Sequence, residues 1–312
     1  MEETLQKRLQ NRVKVDKDIS PYFTMKSQTK AEYFFEAESR EDWINVFNAA
    51  KELNLPLFVL GGGSNTAVLH DVISGIVVRN MYQKKEVISE TDDTVDLLVS
   101  SGYPMGRLVN ETANAGYEGI EYHLGLPGTI GGAVAMNSKW YVNRVPMYVG
   151  DPVIKAYLLD KEGNVKEVDK EYFKFAYDYS VIKDTKEIIL EIVFRFKKND
   201  SELLKQRSRE ALEYRRKTQV HGQATCGCMF QNISEKEMKE YNLPYTSAGY
   251  LIDKSGLKNT KVGDFIVSEK HANFIVNTGA GKPEDLVKLI SLIKNKVKDK
   301  FGIDLKEEVV LV

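Results

Sequence analysis

Hydrophobic residues change their spacing repeatedly along this chain, and each change marks the border of an element. Residues 1–18 carry charge throughout and read as a polar helical leader closed by Ser20-Pro21. A short strand follows at 31–35. Ser39 then offers its hydroxyl to a helix over 41–53, whose first turn places Glu41 and Asp42 at the positive end of the helix dipole. Beyond Pro56, residues 57–60 read as a buried strand that runs straight into Gly61-Gly62-Gly63-Ser64-Asn65.

The middle of the chain is richer in strands, predicted at 75–79, 95–100, 155–160, 165–168 and 188–196. A helix at 105–115 precedes a glycine-rich segment at 119–137, read as a long functional loop, and Lys161-Glu162-Gly163-Asn164 has hairpin-turn chemistry. A charged amphipathic helix over 201–217 reads as a connector. A helix at 247–257, strands at 263–267 and 273–276, and a helix that Pro283 opens and that runs to 301 complete the pattern. The class is α+β.

Composition narrows the function classes. With 44 basic and 45 acidic side chains the net charge is −1, so no global field gathers nucleic acid or an anionic membrane surface. Apolar runs are strand-sized, far short of the roughly 20 residues that cross a bilayer. The N-terminus lacks the apolar core and cleavage site of a secretory signal, so the cytoplasm is the expected compartment. Cys226 and Cys228 are the only cysteines. With His221 the one candidate nearby, they fall short of the about four ligands of a structural zinc, and no metal is expected.

Three glycines directly after a buried strand permit left-handed backbone and let N–H groups face an anion without a Cβ in the way. A plain tight turn explains that run equally well. The second loop, Gly125-Leu126-Pro127-Gly128-Thr129-Ile130-Gly131-Gly132-Ala133, adds a side-chain-poor surface for a flat or phosphorylated ligand, ending near Asn137.

Together these segments carry a specific resemblance. Leu60-Gly61-Gly62-Gly63-Ser64-Asn65, Gly119-Ile120-Glu121-Tyr122, 125–133 and Met136-Asn137 resemble the two FAD loops of the UDP-N-acetylenolpyruvoylglucosamine reductases, the MurB family, of the type without the extra tyrosine loop. Ala248-Gly249-Tyr250-Leu251-Ile252 and the stretch 268–277 resemble that family's substrate-domain motifs. The resemblance implies a vanillyl-alcohol-oxidase-type FAD-binding domain in two subdomains, 1–78 completed by 300–312 and 79–199, plus an α+β substrate-binding domain at 200–299. It implies non-covalent FAD held by Gly61, Gly62, Gly63, Ser64, Asn65, Gly125, Pro127, Gly128, Thr129, Gly131, Gly132 and Asn137. NADPH is the implied donor, and a nucleotide sugar the implied substrate, contacted by Tyr177, Arg215, Arg216, Asn232, His271 and Asn273.

The family reaction adds a hydride and a proton across an enolpyruvyl double bond, and the resemblance implies which residues serve it. Cys226-Gly227-Cys228-Met229-Phe230-Gln231-Asn232 is similar to the family's Ala-Gly-Ser-x-Phe-Lys-Asn, so Cys228 stands where a serine donates the proton. A thiol with an ordinary pKa of about 8.5 is mostly protonated at neutral pH and serves as an acid. Glu308 stands at the family's second carboxylate, although Glu307 replaces the neighbouring proline. At the catalytic arginine position, in Phe175-Ala176-Tyr177-Asp178-Tyr179-Ser180, stands Asp178. A carboxylate there opposes a carboxylate substrate, so a cation is expected to pair with it, from Arg215, Arg216 or Lys183. Otherwise the chain is a diverged flavoprotein with another substrate, or a silent flavin-binding paralogue. The loops predict that the purified protein is yellow and releases FAD on denaturation; a colourless protein that takes up no added FAD contradicts both fold and function.

Overall fold

The computed structural model describes residues 1–312. The leader is not one helix. Helix α1 (Glu2–Arg8) stops where Gln10 and Asn11 turn to left-handed φ of 54° and 58°, and strand β1 (Lys14–Asp18) follows. The Gln6 side chain clamps this turn, donating to Val13 O at 2.8 Å and accepting from Val13 N–H at 3.3 Å. Charge along 1–18 hid the apolar stripe Leu5, Leu9 and Val13, all buried.

Strand β2 (Lys30–Ala37), helix α2 (Arg40–Glu52), β3 (Leu57–Leu60), β4 (Thr66–Ala67) and β5 (Val72–Asn80) come next. Ser39 caps α2 by accepting from Asp42 N–H at 3.1 Å, as its position predicts. The first sheet has the order β1-β2-β5-β3, with β3 parallel to β5 in the register Leu57↔Ile76 to Leu60↔Arg79. The first glycine loop therefore leaves the sheet at the carboxyl end of a parallel strand.

Next come β6 (Lys85–Glu90), β7 (Thr94–Ser100), α3 (Met105–Ala115), β8 (Tyr117–Glu118), α4 (Ile130–Ala135), the hairpin β9 (Lys139–Val142) and β10 (Val145–Tyr148), β11 (Val153–Leu159), β12 (Val165–Asp169), α5 (Ile182–Thr185) and β13 (Ile188–Lys198). The second sheet has the antiparallel order β12-β11-β13-β7-β6, with β8 also on β13. The 161–164 turn joins β11 to β12, held by Asp160 accepting from Glu162 and Asn164 N–H groups at 2.9 and 2.8 Å. Strand β6 is exposed at every position, so it carries no alternation for a sequence reading to find. The segment 119–137 is not structureless, holding a 3₁₀ turn at Glu121–His123 and helix α4.

Last come α6 (Ser201–Thr218), α7 (Glu235–Glu240), α8 (Ala248–Lys254), β14 (Lys261–Val262), β15 (Phe265–Val267), β16 (Ile275–Asn277), α9 (Pro283–Phe301) and β17 (Val310–Leu311). No helix is long and apolar enough to cross a membrane.

Contacts divide the chain into two units. The first comprises Met1–Val15, Tyr33–Gly62 and Gly75–Arg215 and contains two hydrophobic cores. One core gathers α2, with Trp43 fully buried, against β2, β5 and the end of β11; the other packs α3 and α4 on the second sheet. The second unit comprises Asp16–Glu32, Gly63–Ser74 and Arg216–Val312. Its core is built on the stripe Leu286, Leu289, Ile290, Ile293 and Val297 of α9, which meets Leu251 and Ile252 of α8 and Phe265 of β15. Pro283 in the first turn and left-handed Gly302 beyond the last set the limits of α9.

In that unit β17 pairs in parallel with β4, so the C-terminus is fastened beside the first glycine loop's outgoing strand. Asn277 is a buried hub there. Its amide donates to Met25 O at 3.0 Å and Lys26 O at 3.1 Å, while its Oδ1 accepts from Gly279 and Gly281 N–H groups at 3.1 and 3.2 Å. Asn277→Ala strands buried polar groups and is expected to destabilise the protein by roughly 1–3 kcal/mol. An unchanged urea midpoint contradicts that role.

Candidate active site

In the first unit the two glycine loops lie main chain against main chain. A Cβ on Gly62 would stand 2.5 Å from Gly128 Cα, and one on Gly61 would stand 2.7 Å from Thr129 Oγ1. No side chain fits either place. In the second unit Gly63, with φ of 59°, faces Tyr22 O as closely, and its carbonyl accepts the Thr24 N–H at 3.0 Å. Asn65 O receives the Val310 N–H at 2.9 Å.

The second loop is fixed to the entry of α3 rung by rung. Gly128 O accepts the Met105 N–H at 3.0 Å, Ile130 N–H donates to Tyr103 O at 2.9 Å, and Gly131 N–H to Ser101 O at 2.8 Å. Thr129 caps α4 through Gly132 N–H at 3.4 Å. Helix α6, expected as a connector, braces this segment: Ser208 Oγ donates to Glu121 O at 2.9 Å, and Arg207 bonds Glu118 at 2.6 Å and Glu121 at 3.1 Å. Buried Arg215 lays its guanidinium over the Trp140 ring, 4.4 Å from the centroid, with its stem against Gly125. Within this segment His123 is fully buried; burial, reinforced by the Arg215 charge, drives its pKa down to about 4, so it stays neutral.

The turn that carries Tyr177 and Asp178 is stitched to the end of the second loop. Asn137 Nδ2 donates to Ala176 O at 2.9 Å, and Ser180 Oγ donates to Ala135 O at 2.6 Å. Asp178 holds a left-handed φ of 49° and is 4% exposed. Its cation is Lys139, at 2.5 Å from Oδ1, and not one of the three expected. Lys183 instead donates to the Asp178 main-chain carbonyl at 3.1 Å, while Arg215 packs on Trp140. The Lys139 ammonium also lies 3.8 Å from the centroid of the half-exposed Tyr177 ring. Asp178 Oδ2 is buried without a hydrogen-bond partner. Lys139 is the residue that sequence reasoning passed over. Its signal was a single cation between Asn137-Ser138 and Trp140.

In the second unit the chain around Cys228 runs between two other segments. Cys228 bridges to Phe274, Met229 N–H donates to Asn273 O at 2.8 Å, and on the other side Glu308 N–H donates to Met229 O at 2.9 Å. Met229 and Glu308, 79 positions apart in sequence, are thereby neighbours in the main chain. Asn273 locks the segment further, with Nδ2 to Phe230 O at 2.7 Å and Oδ1 from Phe230 N–H at 2.9 Å. Asn232 Oδ1 accepts the Ala248 N–H at 3.1 Å at the start of α8. His271, its pKa lowered by burial, accepts the Asn273 N–H on Nδ1 at 3.3 Å. The two thiols differ: Cys226 is buried in the core, where desolvation and then the Glu308 charge push it up to about 12, whereas Cys228 is partly exposed. Glu307, in place of the family proline, pairs with Lys294 at 2.8 Å. Arg216 is exposed, and its carbonyl accepts from Lys270 Nζ at 2.8 Å.

Residues 31–169 match the family model described as FAD binding domain, and residues 219–312 match the C-terminal domain of UDP-N-acetylenolpyruvoylglucosamine reductase. The reductase of that name from Chlamydia felis is 32% identical, over 94% of this chain and 92% of its own length. The chain belongs to the UDP-N-acetylenolpyruvoylglucosamine reductase family. The Bacillus subtilis member is 28% identical over 99% of this chain and 96% of its own length. The crystal structure of the Thermus caldophilus member superposes with a TM-score of 0.76 at 26% identity, covering 96% of this chain and 97% of that one. The fold is thus α+β with an FAD-binding domain of the vanillyl-alcohol-oxidase type, and the chain is a flavin oxidoreductase.

The loops fit the family's cofactor. A pyrophosphate needs main-chain surface with few side chains, and Gly62 lies main chain to main chain against Gly128. Alanine at Gly62 must separate the loops, so Gly62→Ala is expected to weaken FAD retention at least tenfold. Gly106 in α3 has open space around its missing Cβ, so Gly106→Ala should keep FAD and gain roughly 0.5–1 kcal/mol of stability. Flavin content and thermal midpoints of the two variants test this; equal FAD binding by both contradicts it.

Proposed function

We propose that this chain reduces UDP-N-acetylenolpyruvoylglucosamine to UDP-N-acetylmuramate with NADPH, in peptidoglycan precursor synthesis. The observation that carries the reading is the arrangement around Cys228: a partly exposed thiol on a segment whose neighbour, Met229, is bonded to Glu308. When bound, FAD supplies the transfer of a hydride from NADPH to the enolpyruvyl double bond. Gly61, Gly62, Gly63, Ser64, Asn65, Gly125, Pro127, Gly128, Thr129, Gly131, Gly132 and Asn137 are the residues we assign to holding it, within the parts 1–78 with 300–312 and 79–199.

Cys228 gives its proton to the carbon next to the new C–H bond and is reprotonated from solvent. Glu308 is the second carboxylate we assign to the reaction, on the chain segment whose main chain bonds Met229 beside Cys228. Nearby Cys226, deep in the core with its pKa at about 12, takes no part in proton transfer. His271 and Asn273 hold the main chain beside Cys228 in place, and Asn232 fixes the start of α8. We assign Asn232, His271 and Asn273 to the nucleotide-sugar part, 200–299, with Tyr177, Arg215 and Arg216 as further contacts.

Anaerobic mixing separates the two halves of the reaction. NADPH should bleach the yellow protein, and the enolpyruvyl sugar nucleotide should restore the colour. Cys228→Ala should leave the bleaching rate nearly intact and slow the recovery by roughly 10²-fold, as loss of a positioned acid does, while Cys228→Ser recovers. Wild-type protein that bleaches without recovering on this substrate contradicts the reading.

A further inference from the structure

Adding a hydride to a carbon–carbon double bond conjugated with a carboxylate moves an electron pair onto that carboxylate until the neighbouring carbon takes a proton. Such a reaction runs faster where a fixed cation faces the carboxylate oxygens. The residue at 178 is an acid and cannot serve. Arg215, the buried arginine near the second loop, lies with its guanidinium 4.4 Å from the Trp140 ring centroid.

Lys139 meets the requirement. It begins β9 two residues beyond Asn137, so the end of the second glycine loop fixes its main chain. Its side chain is 12% exposed and that of Asp178 5%, so both members of the pair are largely buried. Asp178 is immobilised by its left-handed turn and by the stitches from Asn137, Ser180 and Lys183. The Tyr177 ring supports the ammonium from a second side at 3.8 Å. A lysine on a flexible stem is ordinarily a poorly oriented charge. A rigid carboxylate and an aromatic face turn it into an oriented one.

Resting on the proposed reductase activity, we infer that Lys139 is a catalytic residue that faces the substrate carboxylate and stabilises the charge developing there, with Asp178 as its positioning residue. The positive charge comes from the lysine of the pair, and the aspartate at 178 acts only through it.

The test combines ligand binding with a double-mutant cycle on the FAD-loaded protein. Lys139→Met should lower calorimetric affinity for UDP-N-acetylmuramate, which carries the carboxylate, roughly tenfold, and leave affinity for UDP-N-acetylglucosamine, which lacks it, unchanged. It should slow flavin reoxidation by substrate about 10²- to 10³-fold, the usual loss for one charge-stabilising donor, and Lys139→Arg should recover most of that. Asp178→Asn should cost about tenfold, and Lys139→Met/Asp178→Asn no more than Lys139→Met alone. Lys139→Met leaves a buried carboxylate uncompensated and destabilises the turn. If that variant does not fold, the double variant, which removes both charges, carries the same comparison of the two ligands. Equal loss for both ligands, additive effects of the two substitutions, or full reoxidation without Lys139 overturns the inference. Wild-type protein that neither binds UDP-N-acetylmuramate nor is reoxidised by the enolpyruvyl substrate overturns it together with the proposed function.

Discussion

The approach of Gly62 to Gly128 is the constraint on which the first unit's site depends. Two loops more than 60 residues apart meet backbone to backbone at Gly62 and Gly128, where a single added Cβ would come within 2.5 Å of a backbone carbon. Neither loop can yield easily. The first emerges from a strand paired in parallel, and the second is bonded to Ser101, Tyr103 and Met105 at consecutive rungs. What results is a main-chain surface held by the sheet and α3, with α6 bracing the segment from the outside. Rigid main chain is what a non-covalent pyrophosphate group requires, because its N–H groups are then oriented before the ligand arrives.

From that surface the order passes outward by short steps. Asn137, at the end of the second loop, bonds the turn of residues 176–179, and Lys139 closes on Asp178 within the same turn. The second glycine loop thus also holds the turn that carries the Lys139–Asp178 ion pair. In the second unit a comparable economy holds, because Asn273 bonds Met229 and Phe230 directly after Cys228, and Glu308 bonds Met229 from the other side. Burial then divides the two thiols into an inert one and a partly exposed one.

Much of this was legible in the sequence where a physical rule acts locally. The Ser39 cap, the 161–164 turn and the Pro283 start of α9 follow from short-range chemistry, and the structure places all of them as expected. Other elements were missed. Strand β6 has no buried face, and α1 ends because two residues adopt left-handed backbone inside a uniformly charged stretch; α7 has a local signal, the Ser234 and Glu237 capping box, but no buried residue behind it. The site divides along the same line. Glycine runs and the Cys228 segment are contiguous and readable, whereas the partner of Asp178 lies 39 residues upstream and is fixed by tertiary contacts. Arg215, Arg216 and Lys183 were the nearer candidates in motif terms, yet only folding could show that Lys139 faces the carboxylate.

Reduction of an enolpyruvyl sugar nucleotide is the activity we propose for these loops and the Cys228 segment. The most direct measurement is mass spectrometry of the nucleotide after incubation of the yellow protein with NADPH and UDP-N-acetylenolpyruvoylglucosamine in the absence of oxygen. Conversion to a product heavier by two hydrogens, with one NADPH consumed for each molecule formed, is the predicted result. Recovery of the nucleotide unchanged, from protein that holds FAD and accepts electrons from NADPH, would contradict the account.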